Sequence, residues 1–240
     1  MTGTGSAAAA VDHLVVAAAT LEQGVAWCET TLGITPGPGG QHALMGTHNR
    51  VFKIATPAYP NAYFEIIAID PAAPPPGRPR WFGVDDPGLQ ARIAVQPRLI
   101  HMVARSEMLD MHRWGLITVG HKPGDPVTAG RDTPHGRLQW QILVRSDGQL
   151  DCGGALPTLI QWQGTHPAEH MPDSGVTLQS LVLRGVPERA RTVLRLRGVS
   201  VLAEPGAALS AALPATLPAT VTATLSATLD TPLGRITLES

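Results

Sequence analysis

The alternation of apolar and polar positions divides the chain into three passes of similar order. Val11 to Ala18, VDHLVVAA, is a β-branched run that predicts a strand. Leu21 to Gly33 then predicts a helix, with Thr20 as N-cap, apolar positions at Leu21, Val25, Trp27, Cys28 and Leu32, and Gly33 as a left-handed stop. A turn-rich GPGG at 37–40 precedes two further apolar runs, Val51 to Ile54 and Tyr63 to Ile69. The first pass therefore reads as strand, helix and up to three strands. The proline tract PAAPPPGRP, Pro71 to Pro79, ends it and predicts an extended crossing connection.

From Arg98 the order recurs. RLIHMVA predicts a strand, Glu107 to Gly115 a short helix stopped by glycine, and RLQWQILV from Arg137 and LPTLIQW from Leu156 two more strands. The third pass has a strand in VTLQSLVLRG from Val176 and an amphipathic helix in PERARTVLRLRG, with Pro187 near N1 and Ala190, Val193 and Leu194 on one face. Ala207 to Asp230 is biased to Ala, Thr, Leu and Pro, yet TVTATLSATLD alternates and TPLG at 231–234 leads into RITL, so a closing hairpin is expected. Superimposing the strand openings gives DHLVV, IHMVA and QSLVL, so one slot holds His13, His101 and Ser180, and the helices that follow are expected to end at Gly33, Gly115 and Gly198. This divides the chain into a flexible tail at 1–10, a domain at 11–170 with modules 11–70 and 98–163 joined by a linker at 71–97, and a partial third βαβ-type module at 176–240.

Composition narrows the function. Charged residues are 15% of the chain against a typical ~25%. The net charge of −1 and a pI near 6.7 give no footprint for nucleic acid. No apolar run approaches the ~18 residues of a membrane helix, and MTGTGSAAAA lacks the basic and hydrophobic regions of a secretory signal. Two cysteines, Cys28 and Cys152, are too few for a disulfide framework or a cysteine-based zinc site. The expectation is a soluble, cytoplasmic, mixed α/β protein. Where charge is scarce, an ionisable residue inside an apolar strand draws notice. His13, Glu65 and His101 are such residues, and an ionised Glu65 on the Tyr63–Glu65–Ile67 face needs a cation or donors against desolvation.

Other candidates are weaker. His48 and Asn49 sit where a turn feeds a strand, as turn caps or pocket donors. His135, Arg137 and Trp140 surround a strand start; Arg137 reads as a carboxylate clamp or a solvated edge charge. Trp81 and Phe82 line a pocket mouth or anchor the crossing. His166 to His170 matches H-x-x-E-H, but Gly164, Pro167 and Pro172 leave room for one helical turn at most, so a loop is expected rather than a protease helix. No nucleophile elbow, Walker loop or dinucleotide fingerprint occurs.

Several segments in order, VDHLVV, AWCETTLG, GTHN at 46–49, YFEIIAID, RPRWFGVDD and LPTLIQWQGTHP, resemble a glyoxalase-like domain of the vicinal oxygen chelate superfamily. The resemblance implies an α+β fold with paired βαβββ modules forming a curved mixed sheet around a cavity. It also implies one divalent metal ion (Fe, Mn, Ni or Zn) held by residues of the first and last strands of each module. Carried over, the ligands are His13, Glu65 and His101, with Glu65 as the catalytic group if it leaves the metal. The fourth position usually holds a carboxylate, and Gln161 is the nearest candidate here. His48, Asn49, His135, Arg137, Trp140 and Gln161 are then expected to bind substrate. The implied chemistry is metal-dependent lyase, isomerase or dioxygenase. A metal-free protein that sequesters an apolar small molecule between His48 and His135 is the alternative. The third module could instead cover a sheet edge or build a homodimer contact.

Overall fold

The computed structural model describes residues 8–202 and 224–240. The expected tail at 1–10 and the biased segment from Ala207 fall largely outside them. The first module comprises β1 (Ala10–Ala17), α1 (Leu21–Leu32), β2 (Gln41–His42), β3 (Thr47–Lys53) and β4 (Tyr63–Ile69). Thr20 caps α1 by accepting from the Gln23 amide, and Gly33 ends it at φ 75°. Gly24 lets α1 lie on the sheet, since a Cβ there would stand 2.4 Å from Ile66.

After the proline tract, a short 3₁₀ turn at Trp81–Gly83 leads into α2 (Pro87–Val95), a helix the proline-rich composition of this linker hid. Its start is well signalled: Asp86 accepts from the Leu89 amide and Pro87 takes the first turn, where no amide donor is needed. The second module then follows as β5 (Arg98–Arg105), α3 (Leu109–Thr118), β6 (Asp125–Thr133), β7 (Gly136–Val144) and β8 (Thr158–Gln163). Strand β6 falls in a stretch for which the sequence pattern predicts no strand.

These eight strands form one curled sheet in the order β2-β3-β4-β1-β5-β8-β7-β6. Strand β1 runs parallel to β4, β5 runs parallel to β8, and β1 meets β5 antiparallel with Leu14 opposite Met102. A half-turn about that pair exchanges the modules and sets His13 on His101. Val15 lies opposite Glu65 and Val103 opposite Thr158, so Thr158 is the counterpart of Glu65.

One face of the sheet packs Leu14, Val16, Phe64 and Met102 with the helices and the C-terminal unit. The other face, with Val15, Ile67, Val103 and Ile160, is covered by Trp81, Phe82, Leu89 and Ile93 of the linker. The crossing connection is thus also a plug over half the sheet.

The C-terminal unit has β9 (Thr177–Arg184), α4 (Glu188–Leu194), β10 (Ser200–Leu202) and the hairpin β11 (Thr224–Thr231) and β12 (Gly234–Glu239), ordered β10-β9-β11-β12. Its βαβ start and closing hairpin match expectation. Here, however, the first strand pairs in parallel with the strand after its helix, whereas β1 and β5 pair with the last strands of their modules. Two expected helix stops also move. Gly115 lies inside α3, where a Cβ would approach Val193 of α4 to 2.7 Å, so it serves helix packing. Helix α4 ends at Arg195 in the left-handed region, before Gly198.

Candidate functional site

The side chains of His13, Tyr63, Glu65, Trp140 and Trp162 converge under the plug because their strands are neighbours and these residues share one face. The deepest member is Asp12, fully buried at an irregularity in the β1–β5 register between Val11 and His13. Its carboxylate accepts from His13 Nδ1 at 2.7 Å, Trp162 Nε1 at 2.9 Å and His166 Nε2 at 3.0 Å. Burial alone would raise its pKa, but the hydrogen bonds from His13 and His166 outweigh that and hold it far below the usual carboxylate range.

An ionised Asp12 accepts only, so His13 must carry hydrogen on Nδ1 and direct Nε2 elsewhere. Nε2 stands 3.5 Å from Glu65 Oε2. The second Glu65 oxygen accepts from Asn49 Nδ2 at 2.6 Å. Asn49 is fixed in turn: its Oδ1 accepts from the Gly40 amide at 2.8 Å, and Nδ2 also reaches His42 Nε2 at 3.3 Å. His42 then donates from Nδ1 to Thr47 Oγ1 at 3.0 Å, and burial pushes its pKa down to about 4. The Tyr63 ring stacks on His13 at 4.5 Å, and burial holds its phenol proton well above the ordinary range. His13 Nε2 and Glu65 Oε2 therefore face each other at 3.5 Å in a buried pocket.

The equivalent place in the second module is arranged otherwise. His101 is fully buried, donates from Nδ1 to Gly154 O at 3.0 Å and accepts at Nε2 from the Thr158 amide at 3.0 Å. Thr158 Oγ1 is also 3.0 Å from Nε2. Burial pushes the His101 pKa down to about 4, and Phe82 packs against the ring at 5.5 Å.

The pocket holding His13 and Glu65 is small, about 40 Å³. Val51, Arg131, Pro167 and Met171 form its boundary with an outer cavity of about 680 Å³, whose other walls include the 37–40 loop and His135. A small inner pocket behind a roomier cavity is the arrangement of a small-molecule site.

Comparison with known proteins agrees with this architecture. The family model described as a glyoxalase-like domain matches residues 11–199. The chain belongs to the glyoxalase-like domain family. Among solved structures, a hypothetical protein from Staphylococcus aureus is similar at 16% identity, covering 78% of this chain and 73% of that one, with a TM-score of 0.51. Methylmalonyl-CoA epimerase from Mycobacterium tuberculosis matches at 14% identity over 65% of this chain and 87% of its own, with a TM-score of 0.35. A variant of the Streptomyces coelicolor epimerase in complex with 2-nitronate-propionyl-CoA matches at 14% identity over 63% and 92%, with a TM-score of 0.38. No curated protein sequence matches this chain.

In this glyoxalase-like protein the metal that the resemblance implies needs free lone pairs from both modules. His101 offers none, because both ring nitrogens are engaged by the protein, and Thr158 supplies a neutral hydroxyl where a carboxylate would be needed. The residues present do not fit a centre shared by His13, Glu65 and His101. Among the described residues, the trio of metal-ligand type whose atoms all lie within 4.8 Å is elsewhere: His121, Asp151 and Cys152. There the Asp151 oxygens already accept from His121 and from the Lys122 and Cys152 amides.

The remaining expected residues divide by strand face. Asn49 and Trp140 line the inner pocket, while His48 lies on the opposite side of β3, 4.0 Å from Asp70. His135 stacks on His170 at 4.5 Å in the wall of the outer cavity, and exposed Arg137 pairs with Asp132 at 3.2 Å. Gln161 donates to Glu107 O at 3.1 Å, on the other face from Thr158 and Trp162, so it is not the fourth position. The sequence pattern does not single out Asp12, His42, Arg131, Trp162 or His166 as site residues. Asp12 carried a signal, a carboxylate inside a β-branched run. His166 was legible only as half of a protease-like motif; the short turn that follows it, Pro167–Glu169, is too brief for that helix, as expected.

Proposed function

We propose that this chain is a small-molecule enzyme of the glyoxalase-like class that moves a proton on a carbonyl compound, as a lyase or isomerase does. The observation that carries this reading is the His13 Nε2 to Glu65 Oε2 approach of 3.5 Å, with each partner held from behind by Asp12 and Asn49. In the step, Glu65 takes the proton from the carbon next to the carbonyl, and that C–H electron pair passes into the enolate. His13, protonated at Nε2, donates a hydrogen bond to the enolate oxygen, and the proton returns from Glu65 to carbon. The ionised Asp12 stabilises positive charge on His13, and the covering Trp81 and Phe82 keep water from competing. This step needs no metal, in keeping with a His101 whose ring nitrogens are both engaged by the protein.

The test is hydrogen exchange from deuterated water into a panel of small aldehydes, ketones and oxo acids, followed by NMR. The wild-type protein should exchange the carbon-bound proton of at least one of them, and Glu65→Gln should slow this by roughly 10²-fold or more with an unchanged circular dichroism spectrum. Binding of panel members with no exchange in any would replace the enzyme reading with that of a metal-free binding protein.

A further inference from the structure

Arg131 lies on the inward-facing row of β6, paired with Leu138 of β7, and lines both the inner pocket and the outer cavity. It is the cation of that shared boundary. Its Nη1 is covered from solvent and has no hydrogen-bond partner among the described residues. The adjacent carboxylate, Asp132, points to the other face of the strand, where it pairs with Arg137. A buried guanidinium nitrogen without an acceptor is unfavourable, and an acceptor oxygen of a ligand in the adjoining cavity would complete it.

The guanidinium is also held in place. A Cβ on Gly40 would stand 2.2 Å from Arg131 Nη1, so the 37–40 loop presses directly on it. The same Gly40 donates its amide to Asn49, which donates to Glu65. The anion-binding group and the proposed base are thus joined through one loop and one asparagine. A second covered donor without an acceptor, Trp81 Nε1, belongs to another residue of the inner pocket wall.

We propose that Arg131 anchors the carboxylate of the substrate, which is a carboxylic acid with its carbonyl close to the carboxylate and an apolar remainder in the outer cavity. This deepens the proton-transfer reading and rests on it for the reacting end. A planar carboxylate suits the guanidinium fork, and Arg131 would keep the substrate charge from opposing Glu65. A carboxylate is favoured over a phosphate ester because, among the described residues, Arg131 is the single Arg or Lys lining the two cavities and would leave a dianion half-compensated.

The experiment is a titration of tryptophan fluorescence, with thermal shift as a second readout, using matched probes: phenylpyruvate against phenylacetone, benzoylformate against benzoylformamide, and phenyl phosphate. The carboxylates should bind better than their neutral partners. Arg131→Ala should weaken them roughly 10- to 100-fold while leaving the neutral probes unchanged, and Arg131→Lys should recover part of the loss. Glu65→Gln should keep the preference for carboxylates. The proposal is overturned if no carboxylate exceeds its neutral partner, if the preference survives in Arg131→Ala, or if phenyl phosphate binds more tightly than either acid. A carboxylate preference that depends on Arg131, without proton exchange in any probe, would uphold the anchor and remove the proton-transfer reading alone.

Discussion

Two histidines occupy equivalent places in two equivalent modules and do different things. His13 faces Glu65, with Asp12 behind it, while His101 faces Thr158, with a backbone carbonyl behind it. The scaffold delivers an imidazole to the same position twice. Only where carboxylates flank it does the ring retain an atom free to act; where the flanking groups are a hydroxyl, an amide and a carbonyl, it becomes a satisfied core residue. In this chain the neighbours of each histidine decide whether a ring nitrogen faces a carboxylate or is engaged by backbone and hydroxyl groups.

The largest effect expected from this contrast is on stability at Asp12. Asp12→Ala strips the acceptor from His13, Trp162 and His166 at once, and should lower the unfolding free energy by about 3–5 kcal/mol in denaturant titrations. Equal stability of wild type and variant would show that the buried carboxylate does not organise the first module.

Acid should act on both modules, through His42 in the first and His101 in the second, each pushed down to about 4 from 6.5 chiefly by burial. Between these values the unfolded chain binds the proton and the folded one does not. Stability is therefore complete above pH 6.5 and is lost as the pH falls toward 4, by about 3 kcal/mol for each histidine. Unfolding midpoints at several pH values would measure this, and His101→Gln should remove about half of the dependence in that window. A profile unchanged by His101→Gln would mean that His101 is not kept neutral by the fold.

The smallest effect is expected at the counterpart of Glu65. Thr158→Val removes one hydroxyl contact to His101 but keeps the backbone amide, so a loss of about 1 kcal/mol is expected, with proton exchange unaltered. Loss of exchange in this variant would place the second module in the chemistry after all.

The repeated order of strand, helix and strands was readable because a β-branched run, a capped helix and glycine turns each leave a local trace. Strand β6 left little, since its burial alternates between half-covered and exposed positions and DPVTAGRDT has no apolar run. Helix α2 was masked by the prolines before it, although Asp86 and Pro87 mark its start. At the site, strand alternation gives His13 and Glu65 a common surrounding, but residue polarity alone points to Gln161 for the fourth position. Register, which sets Thr158 rather than Gln161 against Val103, depends on pairing between strands distant in the chain.

The chain by itself established the class of fold, the internal repeat and the three ionisable residues inside apolar strands, because burial periodicity and charge scarcity are properties of local sequence. The partners of those residues came only with tertiary structure. Asp12 meets His166 and Trp162 from the far end of the domain, and Arg131 reaches the same pocket from a hairpin at the sheet edge. Whether an imidazole has a free lone pair, and whether a guanidinium lacks an acceptor, depends on groups within about 3 Å that no sequence spacing specifies.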